Sequence, residues 1–96
     1  MNEIKQELLE LNFNVDSIGI VLWVDAIEYV REHKLWWDIL DIYEYLAKKY
    51  DSTPSKVERN LRTAIAPAKT SIQEKYKYYK PIKNSTFLSL IRFELI

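Results

Sequence analysis

No cysteine occurs among the 96 residues. A disulfide framework, a thiolate nucleophile and a Cys-based metal site are therefore excluded. Histidine occurs once, as His33, and its place beside Glu32 and Lys34 near a helix end reads as a solvent-facing residue. One histidine and no cysteine leave no nucleophile–base pairing of the usual kinds. The carboxylate pairs Glu28/Glu32 and Asp38/Asp41 lack a second ligand type and read as solvated. The single glycine, Gly19, cannot form a glycine-rich phosphate cradle. No enzyme activity, cofactor or metal is expected. No apolar run approaches the roughly 20 residues of a membrane span. The acidic, amphipathic start MNEIKQELLELN is unlike a signal peptide. The expectation is a cytoplasmic protein with no membrane partner.

What the chain does have is core material and segregated charge. Hydrophobic residues make up 48%, with three Trp, enough for one domain over residues 1–96. The formal net charge is zero. Residues 1–46, however, hold three bases against ten acids, and residues 47–83 hold ten bases against three acids. The halves are thus −7 and +7, and a basic block of that kind can neutralise phosphates.

The apolar spacing is helical throughout, so the fold class is all-α, a compact bundle of about six helices. Ile4, Leu8 and Leu11 form one stripe, with Asn2 as a cap and Asn12–Asn14 as a break. Asp16 or Ser17 opens a second helix with Ile20, Trp23, Val24, Ile27 and Val30 inward. A third starts near Asp38 and turns Ile39, Ile42, Tyr43, Leu46 and Tyr50 to one side. After a turn at Asp51–Pro54, capped by Ser52 or Thr53, a fourth buries Val57, Leu61, Ala64, Ile65 and Ala68. Pro67 kinks or ends it. Residues 69–80 continue as helix, and Ser85 caps a last one with Phe87, Leu88, Ile91 and Leu95 inward. Tyr side chains of EKYKYYKPIK (Glu74–Lys83) pack on the core while its Lys side chains stay solvated. Trp36 and Trp37 cannot both face one core, so one of them is expected to be exposed.

The stretch Ala47–Ala68 carries the functional signal. A helix, a four-residue turn and a second helix, spanning about 38–68 in all, make a helix-turn-helix, a motif whose second helix enters the DNA major groove. On that second helix Ser55, Arg59, Arg62 and Ala66 oppose the core face, with Lys56, Glu58 and Thr63 on the shoulders. An arginine fork can bond guanine O6 and N7 together, and a glutamate can accept from the cytosine amino group. Lysines and small hydroxyls suit phosphate oxygens. Glu58, Arg59 and Arg62 are the expected base readers. Ser55, Lys56, Thr63, Lys48, Lys49, Lys69 and Lys75 are the expected phosphate contacts, with double-stranded DNA as partner.

LAKKYDSTPSKVERNLRTAIA (Leu46–Ala66), with its Ser55-x-Val57-Glu58-Arg59 core, resembles the C-terminal DNA-binding domain of the sporulation master response regulator of endospore-forming bacteria. IGIVLWVDAIEYV (Ile18–Val30) resembles that family's second helix, and Asn84–Ser85 with Phe87 its terminal helix opening. The resemblance implies a six-helix response-regulator effector domain that regulates transcription. It also implies homodimers on tandem DNA boxes and contact with an RNA polymerase sigma factor. Thr63 stands where the family has His, Pro67 follows where it has none, and no receiver domain is expected within residues 1–96. The alternative is a protein-interaction module of the same fold that has lost DNA readout and modulates a related regulator.

Overall fold

The computed structural model describes residues 3–33 and 37–95, with side chains to residue 92. The described residues are helical without any strand: α1 (Glu3–Glu10), α2 (Gly19–His33), α3 (Ile39–Lys49), α4 (Pro54–Ile65), α5 (Lys69–Tyr76) and α6 (Asn84–Leu95). A 3-10 turn, Ala66–Ala68, joins α4 to α5. None of these helices is long and apolar enough to cross a membrane.

Three helix stops, those of α1, α3 and α5, follow one device, and the scarcity of glycine makes it visible. Asn12, Asp51 and Lys77 all take left-handed backbone, with φ of 70°, 51° and 52°. At each, the next N–H reaches back to a carbonyl of the last helical turn: Phe13 to Leu8 at 3.1 Å, Ser52 to Ala47 at 2.8 Å and Tyr78 to Gln73 at 3.1 Å. This is the Schellman stop, which usually has glycine at the left-handed position. Asn and Asp tolerate that region; Lys pays a steric cost there. The stop at Lys77 ends α5 at Tyr76, four residues before the expected 80. Tyr76 and Tyr78 still pack against the core, whereas Tyr79 lies exposed.

Three helix starts, those of α2, α3 and α4, follow side-chain caps. Asp38 is extended and accepts from the Leu40 N–H at 2.8 Å, opening α3. Thr53 does the same for the Lys56 N–H at 3.2 Å, with Pro54 as the first residue of α4. Ser17 Oγ accepts from the Gly19 N–H at 3.0 Å. The last helix begins at Asn84, one residue before the expected cap Ser85, with the Lys83 carbonyl accepting from the Phe87 N–H. Pro67 acts as expected: lacking an N–H for the Thr63 carbonyl, it ends α4 at Ile65 and tightens the chain into the 3-10 turn. At the same end of α4 the Ala64 carbonyl accepts from the Asn14 N–H at 3.0 Å.

The core lies where α2, α4 and α6 meet. Trp23 and Phe87 are fully buried and, with Phe13, form an aromatic cluster with centroids 5.2–5.7 Å apart, Trp23 edge-on to both phenyl rings. The Trp23 indole donates to the Leu61 carbonyl at 2.8 Å, tying α2 to α4. Gly19 brings α2 still closer. A Cβ placed there would sit 2.1 Å from the Asn60 carbonyl oxygen and 2.7 Å from Ala64 Cβ. Tyr50 departs from the expected inward stripe: it is exposed, and its hydroxyl donates to Asp25 of α2. Trp37 is half-buried against the core, its indole N–H without a hydrogen-bond partner among the described residues. The other member of the pair, Trp36, lies outside the described residues, as do the Asn2 cap and the Leu95 side chain.

Candidate nucleic-acid interface

α4 divides sharply by environment. Val57, Leu61, Ala64 and Ile65 are buried, sealing one face against α2, α3 and the core. Ser55, Lys56, Arg59, Arg62 and Thr63 are exposed, and Glu58 is half-buried on the shoulder. Ser55, Lys56, Glu58, Arg59 and Arg62 together line one open hollow of about 400 Å³. The expected base readers therefore stand side by side on a rigid helix. Its N-terminus is fixed by Thr53, and its middle by the indole of Trp23.

Glu58 and Arg62 already interact. Arg62 Nε lies 3.2 Å from Glu58 Oε1 along one helical turn. The pair is exposed, so its contribution to stability is small, but it holds the Arg62 fork in a defined direction. Arg59 has no ion pair among the described residues and stands exposed on the outer face of the helix.

The expected phosphate-contacting lysines separate into distinct settings. Lys56 lies on the reading face, and Lys69, the first residue of α5, lines a second hollow that shares Glu58 and Arg62 with it. Lys48 lines a different hollow, beside Asp41, Glu44 and Asp51. Lys49 is drawn to α2, where its ammonium lies 3.2 Å from the Asp25 carboxylate. The hydrogen bond to Asp25 raises the Lys49 pKa, with the nearby charge adding to it. Asp25 also accepts from Tyr50, so one carboxylate of α2 clasps the end of α3 twice. Lys75 pairs with Glu7 of α1. The tertiary structure thus engages two of the expected phosphate ligands with carboxylates of the acidic half.

Three residues outside the expected set belong to this region. The second hollow, of about 260 Å³, is bounded by Tyr43, Glu58, Arg62, Lys69, Lys83 and Asn84. Asn84 is the buried polar side chain of the core, 7% exposed. Its amide donates to the Tyr43 hydroxyl at 3.1 Å and to the Glu58 carbonyl at 3.4 Å. Burial pushes the Tyr43 phenol up, and the bond from Asn84 opposes this without cancelling it. Asn84 thereby ties the start of α6 to both α3 and α4. Neither it nor Lys83 has a spacing that would link it to Arg62 in sequence; the only sequence signal was the Asn84–Ser85 opening of the terminal helix.

His33 is exposed, as expected, with its ring stacked on Tyr29 at 3.9 Å and Nδ1 donating to the Tyr29 carbonyl at 2.8 Å. The Asp38/Asp41 and Glu28/Glu32 pairs gather no metal-ligand group among the described residues.

A family model described as "Sporulation initiation factor Spo0A C terminal" matches residues 4–95. No match was found among curated proteins or among solved structures.

Proposed function

Since the chain belongs to the family of Spo0A C-terminal domains, a family of DNA-binding regulatory domains rather than enzymes, we propose that it is a sequence-specific duplex-DNA-binding transcriptional regulator. In this reading α3, the turn and α4 form the helix-turn-helix. α4 enters the major groove, and α3 crosses the backbone. Arg59 and Arg62 read guanine edges, Glu58 accepts from cytosine or steers Arg62, and Ser55, Lys56, Thr63 and Lys69 meet phosphates. The single observation that supports this best is the division of α4. One face is sealed in the core, and the other gathers Ser55, Lys56, Glu58, Arg59 and Arg62 around one open hollow. Family resemblance carries two more partners into the proposal: a second copy on a tandem box and an RNA polymerase sigma factor.

Selection of bound sequences from random duplex DNA, followed by anisotropy titration of the selected box, tests it. Arg59→Ala should weaken binding to that box by about 1–3 kcal/mol and relax preference at one position. Unchanged affinity and preference would refute base reading by Arg59. If the parent chain binds no duplex even at about 50 mM salt, where nonspecific binding is strong, the protein-interaction reading replaces this one.

A further inference from the structure

We propose that the hollow between α4 and the start of α6 is a seat for one backbone phosphate of the bound duplex, held by Lys69 and Lys83 beside Arg62 and kept in place by Asn84. The proposal rests on the reading of α4 as the groove-inserted helix and adds a second contact region to it. The three cations come from three separate places, α4, the first residue of α5 and the residue just before α6, and converge on one hollow of about 260 Å³. Only one carboxylate, Glu58, lines the same hollow, and it lies 3.2 Å from Arg62. Lys69 and Lys83 are exposed, with no carboxylate partner among the described residues. The net charge of the lining is therefore +2. The first turn of α6 contains no acid, so its unpaired amides add a field of the same sign.

The identity of the anion follows from position. Glu58 and Arg62 line both this hollow and the reading-face hollow. A duplex that takes α4 into its major groove carries a phosphate strand along the groove's edge, on the flank of α4. The seat lies on that flank. Asn84 is the positioning residue: buried, and bonded to both Tyr43 of α3 and the Glu58 carbonyl of α4, it holds Lys83 beside Arg62.

The test is the salt dependence of binding by the full chain to its selected box, read by anisotropy from about 50 to 300 mM KCl. Lys83 is exposed, so Lys83→Gln should fold as the parent does. It should lower the log–log salt slope by about 0.9, the loss of one phosphate contact, with base preference unchanged. Lys83→Arg should restore the slope, and Lys5→Gln on α1 should change it far less. Asn84→Ala should reproduce the Lys83→Gln slope, with no further loss in the double variant. A parental slope in Lys83→Gln overturns the seat and leaves the reading helix standing. A parent chain that binds no duplex at low salt overturns both.

Discussion

Gly19→Ala should destabilise the domain, although the same change in most helices stabilises it. Gly19 is the first residue of α2, and its Cα faces the backbone of α4. An added Cβ would lie 2.1 Å from the Asn60 oxygen, where ordinary contact begins at 3.4 Å. α2 must therefore move away by about 1.3 Å, the difference between the two distances. If α2 shifts as a unit, the Trp23–Leu61 bond stretches from 2.8 Å to about 4 Å and is lost. Overpacking of this kind costs about 1–3 kcal/mol, and the lost bond about 1 more. Relief of the glycine's conformational entropy offsets about 0.5–1 kcal/mol. The net loss is about 1–3 kcal/mol, or roughly 4–8 °C of melting temperature for each kcal/mol in a domain this small. Thermal and urea melts followed by circular dichroism measure it. Trp fluorescence should report the loosened contact. A variant as stable as the parent, or more so, would refute the close approach of α2 to α4.

Three further outcomes follow from particular residues. Lys77→Gly should raise stability by up to about 1 kcal/mol in urea melts, because the left-handed backbone at φ 52° strains a residue with a Cβ; no gain would mean the stop is unstrained. Lys56→Ala should lower the DNA salt slope by about 0.9, whereas Lys49→Ala should lower it much less, since the Lys49 ammonium is held by Asp25; equal losses would show that Lys49 leaves Asp25 for phosphate. Tyr43 has its pKa raised in the folded state, chiefly by burial, so stability linked to it is complete below the ordinary tyrosine value of about 10 and is lost as pH rises through the folded value. Urea midpoints should hold steady from pH 7 to about 9 and fall above about 10, less steeply in Tyr43→Phe; an identical fall in the variant would remove Tyr43 as a contributor.

Much of the local architecture was legible because it is set by short-range chemistry. Asp38 and Thr53 accept from amides two and three residues on, so their capping roles are written in adjacent letters. The spacing of Val57, Leu61 and Ile65 determines which face of α4 is buried, and hence that Ser55, Arg59 and Arg62 point outward. Pro67 ends α4 because of its own missing N–H. The length of α5 was less legible. A left-handed stop normally announces itself by glycine, and here a lysine occupies it.

By itself, then, the sequence determined the helices, the buried and open faces of α4, and the family to which the chain belongs. Periodicity, caps and a missing N–H act within a few residues, and such effects survive in a linear reading. Only the tertiary structure decided that Gly19 exists to let α2 touch α4. It alone committed Lys49 to Asp25 and Lys75 to Glu7, and brought Lys83 and Asn84 beside Arg62. Those outcomes depend on through-space distances between separate helices. Charge attraction and steric contact act over a few ångströms, whatever the number of residues between the partners.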